Sequence, residues 1–282
     1  SARAKWGEGP WGEVGRYLRR VDPYRHPLTF HTTYGRRGLG GDEAVMDFDM
    51  VTGSHDGWNA ASPTSLSFLT DAAAKQPPMP VLSGETAYEG HMQNNLHDVQ
   101  RHVFWMLMLN GAAGHTYGAA GVWHAGVEGD PGITPVYDLT TWREGMQYPG
   151  STQLGLGKKL LEEYPWSRLE PHPEWVESGS FAARIPGELR IVYQPRRSGY
   201  TWAGPLVRNV ERGVPFRAFY FNPTNGKRHD LGAFVRLSRD PLAPAGPERD
   251  AAGRVVIRAD DFKAPPVPSP QDWVLVMDYE GK

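Results

Sequence analysis

Apolar positions along this chain fall into two regimes. Up to about residue 165, segments with helical periodicity alternate with short apolar runs, the pattern of a parallel α/β arrangement. Trp11 to Arg20 predicts a helix with Val14, Tyr17 and Leu18 on one face, stopped by Asp22-Pro23. Pro27 to Thr32 and Val45 to Val51 read as strands, Ser65 to Lys75 as a helix, and Met79 to Leu82 as a third strand. Asn95 to Leu109 is the clearest helical pattern, followed by a small-residue strand over Gly111 to Gly118. A long Gly- and Pro-containing loop then reaches Pro149, and Leu154 to Glu163 predicts a short helix.

Beyond Glu177 the period changes to two. Phe181 to Arg184, Leu189 to Tyr193, Phe216 to Phe221, Val255 to Ile257 and Trp273 to Met277 are short strands between turn residues, with a strong turn signal at Asn222-Pro223-Thr224-Asn225-Gly226. This part predicts an antiparallel β-sandwich. The expected fold is therefore α/β plus all-β, divided into residues 1–170 and 175–282.

Composition narrows the function classes. The 282 residues include 30 Lys and Arg against 32 Asp and Glu, a net charge of -2, which gives no polyanion-binding surface and makes nucleic acid an unexpected partner. With no cysteine, a thiol nucleophile, a thiolate metal site and a disulfide are all excluded. No apolar run reaches the roughly 18 residues of a membrane span, so no membrane partner is expected. His91, His97 and His102 lie close in sequence but lack a His-Glu-x-x-His pattern, so no metal site is expected.

Candidate chemistry gathers where apolar runs end. Pro80-Val81-Leu82-Ser83-Gly84-Glu85 is a branched apolar run that stops in a carboxylate, with Tyr88, Glu89 and Gly90 just beyond. A strand that ends this way delivers an acid to the mouth of a site; a loop hydrogen-bond network is the structural alternative. His31, His55, His115 and Tyr117 also fall at strand ends, as ligands of a common cleft or as structural hydrogen bonders. Asp47 and Asp49 share one side of their strand by period-two alternation, carrying either a polar network or an outward ion-paired face. Of the two, Asp49 is the better cleft candidate. Trp123 and Trp142 in the long loop are placed for stacking on a sugar ring or for packing at the rim.

Read together, Asp22-Pro23-Tyr24-Arg25-His26-Pro27-Leu28-Thr29-Phe30-His31, Asp47-Phe48-Asp49-Met50, Pro80 to Glu85 with Tyr88-Glu89-Gly90, and Gly114-His115-Thr116-Tyr117-Gly118 with Val122-Trp123 resemble the apiosidase-like glycoside hydrolases. These form a (β/α)8 TIM-barrel family of a large retaining glycosidase clan. Phe219 to Gly226 and Pro270 to Val276 are similar to the β-sandwich, often labelled collagen-binding, that follows such barrels. The resemblance implies the C-terminal half of the barrel, strands five to eight ending at His31, His55, Glu85 and His115, followed by the sandwich. It departs from the family at Thr52, where a Gln is common.

The resemblance implies a glycoside hydrolase acting on a plant or microbial polysaccharide, with Glu85 as nucleophile and no cofactor. Retaining enzymes need a second carboxyl group about 5–5.5 Å away as acid and then base. In the family it ends the fourth strand, and Glu8 follows no apolar strand. The expectation is thus a C-terminal portion whose acid/base comes from a second chain or a missing segment. His31, Asp49, His55, Tyr88, Glu89, His115, Tyr117 and Trp123 are the expected substrate-binding residues; for Glu89, direct chemistry or orientation of an Arg are alternatives. The resemblance leans toward a secreted or periplasmic setting. The rival reading is a non-catalytic carbohydrate- or matrix-binding protein.

Overall fold

The computed structural model describes residues 9–31, 43–91, 94–128, 140–196, 202–238 and 248–280. The chain is mixed α/β and divides into two compact units, residues 1–151 and 152–282. No helix among the described residues is long and apolar enough to cross a membrane.

In the first unit, strands β1 (Asp49–Thr52), β2 (Val81–Glu85) and β3 (Gly114–His115) form a parallel sheet in the order β1-β2-β3. Helices α1 (Gly9–Val21), α2 (Pro63–Ala73) and α3 (His97–Met108) belong to the same unit. Pro63 opens α2 behind the Ser62 side chain, which accepts a hydrogen bond from the Ser65 N–H. Helix α3 is buried on nearly every face, from Val99 to Met108. Helix α1 differs from its sequence pattern. Its buried positions are Gly12 and Gly15, while the apolar stripe of Trp11, Val14 and Leu18 stands exposed.

Three expected strands are altered, and the one expected over Gly111 to Gly118 forms only at Gly114–His115. No strand forms over residues 27–31. The Leu28 N–H is taken by the Asp47 carboxylate at 2.7 Å and its carbonyl by the Asp47 N–H at 2.9 Å, leaving no ladder partner. The same Asp47 side chain is paired with Arg19, which bends the chain at 47–48 and delays β1 to Asp49. Of the two readings of Asp47, the outward ion pair is the one found.

Register within the sheet sets the direction of Glu85. Val51 pairs with Ser83, but Thr52 pairs with Glu85, so Gly84 is an extra residue in β2. Paired residues on neighbouring strands point to the same side, and successive residues to opposite sides. The bulge therefore turns Glu85 to the side of Met50 and Leu82, away from Val81 and Ser83. A Cβ on Gly84 would lie 2.1 Å from the Met50 sulfur, so a side chain at the bulged position would have to displace the Met50 side chain.

The second unit holds the seven-stranded sheet β10-β9-β8-β12-β6-β5-β4 and the pair β11-β7. The strands are β4 (Glu170–Pro171), β5 (Phe181–Ile185), β6 (Leu189–Gln194), β7 (Leu206–Val207), β8 (Pro215–Phe221), β9 (Arg228–Arg236), β10 (Val255–Ile257), β11 (Phe262–Lys263) and β12 (Trp273–Tyr279). Neighbours pair antiparallel except β9 with β10. One apolar cluster draws on both sheets, with Val192, Phe216, Tyr220, Phe234 and Trp273 from the larger and Val207 and Phe262 from the smaller. The Asn222–Gly226 turn links β8 to β9, and Asn222 Oδ1 accepts from the Thr224 N–H at 2.9 Å. Helices α4 (Trp142–Gly145) and α5 (Pro149–Glu162) lie between the β3 loop and β4 in sequence.

Candidate active site

Three side chains converge on Glu85 at the end of β2. His31 Nε2 lies 2.5 Å from Oε2, the Tyr88 hydroxyl donates to Oε1, and His55 Nε2 stands 3.7 Å from Oε1. Both carboxylate oxygens are held by donors, which fixes the plane of the group. His55 is itself oriented. Its Nδ1 is 3.1 Å from the Thr86 carbonyl oxygen, which can only accept, so Nδ1 carries the proton and Nε2 faces the acid. The His55 and Tyr88 rings stack with centroids 5.2 Å apart. Burial, and then the bond and charge of Glu85, push the Tyr88 phenol pKa up, so Tyr88 remains a donor.

A cleft of about 440 Å³ opens beside the group, lined among others by His31, Thr52, His55, Asn59, Ser62, Phe68 and Glu85. That is within the usual size of a small-ligand site. The Glu85 side chain is 21% exposed here, reachable by a ligand yet partly screened from water. Trp123 is 43% exposed, with its ring 5.8 Å from that of Tyr88. Trp142 begins α4 and carries the Arg143 guanidinium 4.6 Å from its ring. Glu8 lies outside the described residues.

Glu89 and Tyr117 pair with each other. The Tyr117 hydroxyl donates to Glu89 Oε2 at 2.5 Å, and the Gly150 N–H donates to the same oxygen at 2.9 Å. Burial pushes the Glu89 pKa up, against the pull of Tyr117, Gly150, His97 and Arg101. The expected sugar-binding hydroxyl of Tyr117 is thereby committed to a protein carboxylate.

The structure does not bring Asp49 and His115 to the group. Asp49 pairs with Val81 and His115 with Ser83, so both lie on the side opposite Glu85. Asp49 is fully buried, and His115 packs edge-on against Phe104 of α3, ring centroids 5.6 Å apart. Both ring nitrogens of His115 are buried without a hydrogen-bond partner among the described residues. Burial alone pushes its pKa down from 6.5 to about 4. The unfolded chain takes up a proton that the folded chain refuses, so the His115 contribution to stability is complete above pH 6.5 and is lost as the pH falls toward 4. In His115→Phe, urea midpoints measured across that window are expected to fall less with acid than those of the unaltered protein. An identical acid slope would mean that His115 is protonated in the folded state.

Two amides behind the group escaped sequence reading. The Asn95 side chain donates to the His55 carbonyl at 2.6 Å, and Gln100 donates to the Ala87 carbonyl at 2.6 Å. Both are buried and fasten the loops that carry His55 and Tyr88. Asn95 sits in a run of polar loop residues, and only its burial distinguishes it. His91 packs against Tyr88 and Trp123, and His102 against Trp58. Among the described residues no group of three or more His, Asp or Glu side chains is arranged to hold a metal ion.

No curated protein matches this sequence. Among solved structures, one described as "Glycoside hydrolase" superposes with a TM-score of 0.70 at 19% identity, covering 96% of this chain and 61% of that one. A family 5 glycoside hydrolase from Bacteroides vulgatus ATCC 8482 gives 0.71 at 18% identity, covering 96% and 59%. The chain thus spans about three fifths of the length of these structures. Residues 4–168, more than half of the sequence and the part that carries the Glu85 strand end, match the family model described as "Apiosidase-like, catalytic domain". The chain belongs to the apiosidase-like family.

Proposed function

We propose that this chain is part of a retaining O-glycosyl hydrolase in which Glu85 attacks the anomeric carbon of a sugar in a plant or microbial polysaccharide. The observation that carries the reading is the Glu85 carboxylate itself, presented by a bulge at a strand end with His31 and Tyr88 on its two oxygens. Such a group is oriented to form a glycosyl ester and to release it to water. His31, His55, Tyr88 and Trp123 are the residues we assign to the substrate. Trp123 supplies an apolar ring face of the kind on which the C–H face of a sugar packs. Membership of the apiosidase-like family and the glycoside hydrolase neighbours support the reaction class.

In this reading residues 1–170 are the C-terminal half of a (β/α)8 barrel, with β1 to β3 as its strands six to eight and residues 27–31 at the place of the fifth, and residues 175–282 are a β-sandwich. The acid/base carboxyl comes from a preceding segment or a second chain. Support comes from the open apolar stripe on α1 and from the parallel sheet, since parallel sheets are covered on both faces.

The test is covalent trapping. The protein is incubated with dinitrophenyl glycosides in which fluorine replaces the hydroxyl next to the anomeric carbon. The leaving group departs without an acid, and the fluorine slows release of the glycosyl-enzyme. Peptide mapping by mass spectrometry is expected to find the sugar on Glu85. A label on any other carboxylate would overturn the assignment. Binding of oligosaccharides with no label from any glycoside of the series would favour a non-catalytic carbohydrate-binding protein.

A further inference from the structure

Glu89 is a carboxylate beside a candidate active site, yet its surroundings are those of a fastening. It is 3% exposed. Its Oε2 accepts from the Tyr117 hydroxyl and from the N–H of Gly150 in the first turn of α5. A helix N-terminus presents unpaired N–H groups and a partial positive charge, so a carboxylate from elsewhere in the chain is a fitting cap. The approach is close: a Cβ on Gly150 would lie 2.1 Å from Glu89 Oε2. The backbone of Glu89 is also tied down, its N–H to the Gly118 carbonyl at 2.9 Å and its carbonyl to the Ala120 N–H at 2.7 Å.

What this fastening holds is the neighbouring residue. Tyr88 donates to Glu85, and its ring lies against the backbone of Gly118, where a Cβ would meet Tyr88 Cδ1 at 2.3 Å. The segment that grips Glu89 is therefore the one on which the Tyr88 ring rests. We propose that Glu89 is a positioning residue whose carboxylate, by tying Tyr117 and the first turn of α5 to the β2 loop, holds the Tyr88 hydroxyl on Glu85. The proposal rests on the reading of Glu85 as nucleophile and removes Glu89 from both the acid/base role and direct sugar binding.

The experiment is a double-mutant cycle in the full chain, read by steady-state cleavage of the dinitrophenyl glycoside that gives turnover. E89A is expected to lower kcat by about 10²-fold, the cost of misplacing a partner of the reacting group, with KM within about twofold. E89Q keeps an oxygen acceptor and is expected to restore kcat to within about threefold of the unaltered protein. In a Y88F background, E89A is expected to add less than about twofold, because the two act through one contact. Fully additive losses would overturn the proposal. So would a raised KM at unchanged kcat, the mark of a sugar ligand, or recovery of E89A by azide, the mark of an acid/base. Y117F, which removes one of the two bonds, serves the same cycle if E89A does not fold. E85Q is run alongside. Full activity in E85Q would sink the nucleophile reading alone, and the positioning claim would then stand or fall on whether E89A and Y88F are non-additive in urea unfolding.

Discussion

Glu85→Gln is expected to lower kcat on an activated glycoside by about 10⁴–10⁶-fold, the scale of losing one member of a catalytic unit. The amide keeps the size of the side chain and can still meet His31 and Tyr88, but it cannot form the glycosyl ester. Loss should therefore appear in kcat with little change in sugar affinity. A second variant separates chemistry from folding. In Glu85→Gly the cleft gains room for a small anion, and added azide is expected to restore cleavage with inversion at the anomeric carbon. Steady-state rates with and without azide, and the configuration of the product, check both. Residual activity of Glu85→Gln within tenfold of the unaltered protein would remove the nucleophile assignment.

The second large effect is structural and lies in unit 152–282. Arg190 is fully buried, its guanidinium 3.7 Å from the Trp175 ring and 2.8 Å from Glu211 Oε2. It also donates to the carbonyls of Arg208 and Asn209. Arg190→Met fills similar volume but takes the Arg190 donors from two carbonyls and leaves the Glu211 carboxylate with the Tyr279 hydroxyl and no cation. Breaking a fully buried pair costs about 3–5 kcal/mol; Glu211 is 27% exposed and keeps the Tyr279 hydroxyl, so a loss of about 2–3 kcal/mol is expected, and urea unfolding followed by Trp fluorescence measures it. The pH dependence gives a second check. Burial pushes the Glu211 pKa up, but the Arg190 and Tyr279 hydrogen bonds and the Arg190 charge outweigh it, and the net direction is down from 4.5. Stability from this group is thus present above pH 4.5 and is lost as the pH falls through the lower folded value. Arg190→Met is expected to lose that acid-side decline. A variant as stable as the parent would show that the pair only balances its own desolvation.

Glu85 was legible because an apolar run that stops in a carboxylate is a local signal, and Tyr88 follows within the same turn of chain. His31 and His55 were legible as strand-end residues, although no strand forms at 27–31. Asp49 and His115 were not, because period-two alternation assigns residues to two sides without saying which side is the cleft. The bulge at Gly84 shifts that assignment by one, and a shift in pairing is a property of two strands, invisible in either alone. Strand β9 escaped for a related reason. Its pairing with β8 slips between Ala218 and Phe219, and its first three residues are exposed and polar, so the alternation never builds up. Arg190 and Glu211 are far apart in sequence and carry no local sign of each other.

The extra residue at Gly84 makes the register of β2 a switch with two settings. Were Gly84 to pair with Thr52 in regular alternation, Glu85 would take the next place and its carboxylate would pass through the sheet, toward the side of Ser83 and His115. The acid would then face the packed side of the sheet instead of a cleft. Removing Gly84 altogether would keep Glu85 opposite Thr52 and leave its direction unchanged. A slip of one place in pairing thus separates a strand that presents the carboxylate from one that hides it. Changes that shift the pairing at this strand end, more than substitutions along the strand, are the ones that would silence the site while sparing much of the surrounding sequence.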